Sequence, residues 1–342
     1  MKLMTMATAV AVAGTFLAAP AFAQSQTVEQ IRDRGHLNCG INTGLVGFAF
    51  TDEEGDWQGF DVALCKAIAG AVLGDPTAVE YVNLTGRTRF TALSAGEIDV
   101  LSRNSTWTFS RDTDLRLNFA GVNYYDGQSF IVPRDLGVTS ALELDGATIC
   151  IQTGTTTELN LADYFRANNM SYEPVPIETN TEAQQRYLSE ACDAYTTDRS
   201  GLAATRAEFE NPRDHVILPE TISKEPLGPV VRHGDDTWMD IVRWVLNALI
   251  IAEEKGVTQE NVMELVESGS DDPETARLLG IEGSFGDMVG LSSDWAVNAI
   301  AAGGNYGEIF ARYLGTDTDV GLERGLNALY TEGGILYAQP FR

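Results

Sequence analysis

Residues 102–112 read SRNSTWTFSRD, a run of hydroxyl and amide side chains around one tryptophan that directly follows the strand-like EIDVL. The run closes on Arg111 and Asp112. Backbone N–H groups at a helix start, with Ser and Thr hydroxyls beside them, suit an anion such as a carboxylate. An arginine fork adds bidentate recognition of the same group. Two later turns have the same make, TGTTTE at 153–158 and TTDRS at 196–200, each placed where a strand gives way to a helix. Taken singly, any of them is explained by helix N-capping, which Ser, Thr and Asp routinely provide. Three of them divided between two parts of the chain favour a binding site.

The elements that must position these turns alternate between strand and helix. HLNCGIN and VEYVNL read as strands, and GFDVALCKAIAGAVLGD places Leu64, Ile68 and Val72 at helical spacing before Gly74 ends the run. RTRFTALSAG reads as a short helix and IDVLS as a third strand, a βαβαβ pattern that implies a parallel sheet with helices on its faces. In such sheets ligands sit at the carboxyl ends of the strands. A second α/β unit opens near residue 129, after YYDGQSFIVP, and ISKEPLGPVVRHGDD suggests a return crossing through its prolines and glycines. The expected division is a discontinuous first lobe, 24–125 and 228–342, and a second lobe, 129–224, with hinges near 124–128 and 224–228. Trp238, Ile241, Val242, Val245, Leu246 and Leu249 share one helical face, which reads as a core stripe.

The first 23 residues carry one early lysine, a short apolar stretch and a terminal Ala-Phe-Ala, which reads as a secretory signal peptide cleaved after Ala23. That stretch falls short of the roughly 20 residues a spanning helix needs, and no later run is long enough either. Direct membrane insertion is therefore not expected. The remaining length, about 320 residues, favours two domains over one. A formal charge of −26 argues against nucleic acid as a partner. Four cysteines in an exported chain suggest two disulfides, with three pairings open. If Cys39 and Cys65 belong to one unit and Cys150 and Cys192 to the other, pairing within each unit follows. The cysteine spacings lack a C-x-x-C pair, and His36, His215 and His233 lie far apart in sequence, so neither a metal site nor a cofactor is expected.

Longer stretches carry a resemblance. GFDVALCKAIAGAV, RFTALSAGEIDVLSRNSTWTFSRD, NYYDGQSFIV, QTGTTTELNLADYF, CDAYTTDRSGLAA, LPETISKEPLGPVVRHGDD, NYGEIF and RGLNALYTEGGILYAQPFR together resemble the bacterial periplasmic solute-binding proteins of polar amino acid ABC transporters, in the general L-amino-acid-binding branch. The first departs from that family's signature at Ala63, where an acidic residue is usual. The resemblance implies a two-lobed α/β fold of the Venus-flytrap kind, with two hinge strands and the ligand closed between lobes. It implies a periplasmic protein that takes an L-amino acid and meets permease subunits in the inner membrane. Arg111 would grip the α-carboxylate, with Thr106, Ser105 and the backbone around Asn104 beside it. Thr156 and Thr157 would add contacts from the second lobe, and Asp198 would take the α-ammonium. Asn42, Leu45 and Arg87 would line the side-chain pocket. Where relatives often stack an aromatic on the ligand, this chain has Leu45 or Gly86, so no aromatic sandwich is assigned.

The chemistry fits by itself. An α-amino acid presents fixed opposite charges on one carbon, and a buried Arg and Asp from opposite lobes meet both without leaving either unpaired. An enzyme of the cyclohexadienyl-dehydratase kind is the main rival on this fold, and it needs a positioned general acid or base. The assigned residues offer Arg, Thr, Asn and one committed Asp, so catalysis is not expected. The other rival, a sensing receptor ectodomain, lacks a spanning segment after residue 23.

Overall fold

The computed structural model describes residues 25–342, so the expected signal peptide and its cleavage site at Ala23 lie outside the described residues. From the amino end come α1 (Gln26–Arg34), β1 (Leu37–Asn42), the short pair β2 (Phe50–Thr51) and β3 (Trp57–Gln58), α2 (Phe60–Leu73), β4 (Val79–Leu84), α3 (Arg89–Ala95), β5 (Val100–Leu101), α4 (Phe109–Thr113) and β6 (Leu117–Phe119). The chain leaves on β7 (Tyr124–Asp126) and enters β8 (Gln128–Pro133), β9 (Thr148–Gln152), α5 (Thr156–Ala167), β10 (Glu173–Ile177), α6 (Asn180–Leu188), β11 (Ala194–Asp198), α7 (Arg199–Ala207) and β12 (His215–Ile217). It returns on β13 (Glu225–Leu227) to β14 (Val230–Arg232), the long helix α8 (Asp236–Glu254), and the helices α9 (Val262–Ser268), α10 (Pro273–Leu278), α11 (Phe285–Val289), α12 (Trp295–Gly303) and α13 (Tyr306–Tyr313).

The first sheet runs β4–β1–β5–β14–β6, with β1 parallel to β4 and β5, and β14 antiparallel to β5 and β6. The second runs β10–β9–β11–β8–β12, with β9 parallel to β10 and β11, and β8 antiparallel to β11 and β12. Each sheet therefore takes its antiparallel inner strand from the chain just after a crossing. The crossing strands β7 and β13 pair with each other, Asp126 opposite Glu225. Two α/β lobes joined by two strands are the result.

Periodicity explains the packing. All six residues of the expected stripe on α8 are buried in the first lobe's core, where Trp238 Nε1 also donates to the Asp99 carbonyl at 2.9 Å. In the second lobe Phe130 and Ile149 pack on one face of the sheet while Ile131 and Cys150 pack on the other, the period-two alternation of a sheet buried on both faces. Cys39 is bonded to Cys65, tying β1 to α2, and Cys150 to Cys192, tying β9 to the turn before β11. Each disulfide stays within one lobe. Among the described residues no helix is long and apolar enough to cross a membrane.

Candidate ligand-binding site

The strand ends of the two sheets face each other, and side chains meet across the gap. Thr106 Oγ1 and Thr156 Oγ1 are 3.2 Å apart. Asn180 Nδ2 donates to Asn42 Oδ1 at 3.2 Å and to the Gly44 carbonyl at 2.9 Å. At the rim Arg87 Nη1 lies 3.1 Å from Glu178 Oε1. Glycines allow this approach: a Cβ on Gly86 would lie 2.9 Å from the Thr153 carbonyl oxygen, and one on Gly154 3.1 Å from Arg87 Cα.

The first lobe supplies three buried arginines. Thr108 caps α4, its Oγ1 accepting from the Arg111 amide at 3.3 Å, and this orients Arg111 into the cleft. Arg111 Nη1 donates to the Thr106 carbonyl at 2.8 Å. Burial pushes its guanidinium down to about 10, with Glu225 and Asp198 pulling the other way. Arg89 Nη1 donates to Ser105 Oγ at 3.2 Å, while its buried Nε has no hydrogen-bond partner among the described residues. The guanidinium carbons of Arg89 and Arg111 each lie 4.8 Å from the centre of the Phe90 ring, which favours a cation. Arg103 Nε donates to the Leu84 carbonyl at 2.8 Å, and burial pushes it down to about 10 against the opposing charge of Asp61. Between these arginines Asn104 has a φ of 22°, uncommon for a residue with a side chain, and its amide donates to Asp61 Oδ2 at 3.1 Å. Burial raises the Asp61 carboxyl to about 7, against that amide and Arg103.

The second lobe and the crossing strands supply acids. Asp198 ends β11 at the N-cap position of α7, yet its side chain caps nothing. Asp126, from β7, takes that task, its Oδ2 accepting from the Ser200 amide at 3.2 Å. Asp198 is thus left with a buried Oδ1 that has no hydrogen-bond partner among the described residues. Burial raises its carboxyl well above the usual range, Glu225 and Asp126 add to this, and Arg89 and Arg111 oppose it. Thr155 caps α5 through the Glu158 amide at 3.2 Å, so its neighbour Thr156 is the hydroxyl that reaches across the cleft. Glu225 is almost fully buried and accepts from Thr106, Thr156, Asn160 and Ser223.

Among the expected site residues, Arg111, Thr106, Asn104, Asn42, Thr156 and Asp198 gather at this gap, and Arg87 stands exposed at its rim. The side chains of the three others have partners within their own lobe. Ser105 donates to the Arg103 carbonyl at 2.7 Å and supports Arg89. Thr157 Oγ1 meets Thr155 Oγ1 at 2.8 Å inside the capping turn. Leu45 is buried in the first lobe's apolar core, its backbone bridged to Ala49. Sequence reasoning missed Arg103, Asp126, Asn180 and Glu225, and it placed Arg89 only within the TGRTR turn, 85–89, at the start of the short helix. One signal was available: Arg87, Arg89, Arg103 and Arg111 crowd into 25 positions of a chain with 49 acids against 23 lysines and arginines. Glu225 showed no signal beyond its place in the return crossing.

Residues 37–259 match the bacterial extracellular solute-binding proteins, family 3. The chain is 61% identical to the glutamate/glutamine/aspartate/asparagine-binding protein BztA of Rhodobacter capsulatus, over 94% of each chain. It is 55% identical to the general L-amino acid-binding periplasmic protein AapJ of Rhizobium johnstonii, again over 94% of each. A solved ABC transporter periplasmic binding protein from Brucella ovis, with glutathione bound, superposes with a TM-score of 0.90 at 53% identity, over 93% of this chain and 100% of that one. With a matched segment of this length and relatives this similar end to end, the chain belongs to the bacterial extracellular solute-binding proteins, family 3.

Proposed function

We propose that the protein is the periplasmic substrate-binding component of an ABC importer, which closes two lobes on an L-amino acid and delivers it unchanged to membrane permease subunits. One observation carries this reading: the buried Asp198 carboxylate, with an oxygen that bonds nothing among the described residues, lies within electrostatic reach of Arg111 and Arg89 from the other lobe. Such a bipolar gap matches the fixed charges of an α-amino acid, Arg111 taking the carboxylate and Asp198 the ammonium. The names of the relatives support it, since two are named for amino acids. The glutathione of the third has a free α-amino and α-carboxylate end on its γ-glutamyl residue, so it fits the same clamp. The pair β7–β13 serves as the hinge between lobes of 24–125 with 228–342 and 129–224, and Asn42 and Arg87 border the ligand's side chain. Because the clamp partners sit on different lobes, ligand stabilises the closed state differentially.

Calorimetry on wild type and Arg111→Ala with a panel of L-amino acids tests this. Losing one partner of a buried charge pair costs roughly 2 to 5 kcal/mol, so Arg111→Ala weakens every ligand by at least about thirtyfold. Unchanged affinity, or a loss confined to one amino acid, rules the clamp out.

A further inference from the structure

Outside the clamp of Arg111 and Asp198, one buried carboxylate bonds side chains of both lobes. Glu225, on the return strand β13, is 1% exposed and accepts four hydrogen bonds. Its Oε2 takes Thr106 Oγ1 of the first lobe at 2.5 Å and Thr156 Oγ1 of the second at 2.9 Å. Its Oε1 takes Asn160 Nδ2 at 2.6 Å, one turn along α5 from Thr156, and Ser223 Oγ at 2.7 Å. An ionised carboxylate only accepts, and each threonine hydroxyl has a single proton. A charged acceptor outcompetes a neutral one, so both protons go to Glu225 rather than into the 3.2 Å contact between the hydroxyls. Thr106 and Thr156 therefore turn lone pairs, not protons, to the rest of the gap.

Two acceptors this close, one from each lobe, suit a group with several N–H donors and repel a carboxylate. Asp198, whose carboxyl is raised by burial with Glu225 adding to the rise, brings an unpartnered carboxylate oxygen to the same acidic side. We propose that Glu225 is a positioning residue that sets the proton direction of Thr106 and Thr156, so that both hydroxyls accept from the ligand's ammonium and bind the two lobes to it. This rests on the amino acid reading above, and it moves both threonines from the carboxylate to the ammonium end of the clamp. Specificity for an α-ammonium over an α-hydroxyl follows, because a hydroxyl brings one donor and no charge to an all-acceptor surface.

The test compares L-glutamate with (S)-2-hydroxyglutarate, which share both carboxylates and differ only at the α-substituent; where wild type prefers another side chain, that amino acid and its 2-hydroxy acid replace them. In the Thr106→Val/Thr156→Val protein the amino acid loses at least about tenfold in affinity and the hydroxy acid less than about threefold. Equal losses for both mean that the hydroxyls donate to the shared carboxylate, and they overturn the proposal. Glu225→Met, which frees both protons, also weakens the amino acid by at least about tenfold, but by less than about twofold when added to the double-valine protein, since coupled residues are not additive. A Glu225→Met loss of the same size in both backgrounds marks a structural role only and likewise overturns it. If Glu225→Met does not fold, the double-valine comparison decides alone. Wild type that binds no L-amino acid at all refutes the proposed function instead.

Discussion

At the scale of single residues, the site is a set of ionisable groups held away from their ordinary behaviour by burial. Burial raises the Asp126 carboxyl to about 6 and the Asp198 carboxyl well above its usual range. An arriving ammonium favours their ionised forms, so ligand lowers both and drives protons off. We expect affinity to rise as pH increases from about 5 to about 7, the window set by Asp126. Calorimetry at pH 6 in two buffers of different ionisation enthalpy should register net proton release. Proton uptake there, or affinity flat across the window, contradicts the acidic side of the clamp. Without ligand the sign for folding is the reverse. An acid raised from about 3.9 to about 6 holds its proton longer when folded, so its contribution to stability falls as pH rises through that interval.

At the scale of elements, the turns that end β5, β9 and β11 divide two tasks among adjacent residues. Thr108 and Thr155 hold the starts of α4 and α5, which leaves Thr106 and Thr156 to meet across the gap. The turns can come this close because Gly86, in the loop before α3, has no side chain. A methyl there would lie 2.9 Å from the Thr153 carbonyl oxygen and 3.0 Å from Thr155 Cγ2, both on the other lobe. Overpacking of this kind typically costs 1–3 kcal/mol, and here the lobes relieve it by parting. Gly86→Ala should therefore weaken amino acid binding by about tenfold while the unliganded melting temperature stays near that of wild type. Binding of wild-type strength in that variant would show that the liganded lobes do not approach so closely.

At the scale of the whole molecule, the two lobes differ in how they are held. The first buries a large cluster over α2, α8 and α12 and a smaller one against α3, whereas the second has only two small clusters, one on either face of its sheet. The second lobe therefore leans more on its covalent tie, Cys150–Cys192, which spans 42 residues. Closing a loop of that length stabilises by about 4 kcal/mol in the chain-entropy account. Replacing both cysteines with serine should lower the urea midpoint and split unfolding into two steps, the second lobe first, with probes of the two lobes no longer coincident. A single coincident transition at the wild-type midpoint would show that the disulfide adds little.

Part of this protein is written in local sequence, because periodicity and capping act over a few residues. The strand-like run VEYVNL, the stripe from Trp238 to Leu249 and the hydroxyl-rich turns are visible without a structure, and β4, α8 and the starts of α4 and α5 lie there. The pairing of cysteines within each unit follows once the chain is divided in two. What the sequence cannot contain is the choice among equal neighbours. Nothing in TGTTTE says which threonine caps, nothing in TTDRS says that Asp198 is relieved of capping, and nothing in SKEPLG marks Glu225 as an acceptor for both lobes. Those choices depend on groups far along the chain, Asp126 at the start of α7 and β13 returning between the lobes. A side chain's burial and its hydrogen-bond partner are properties of the assembled fold, so only tertiary structure decided which of many similar polar residues were left facing the gap.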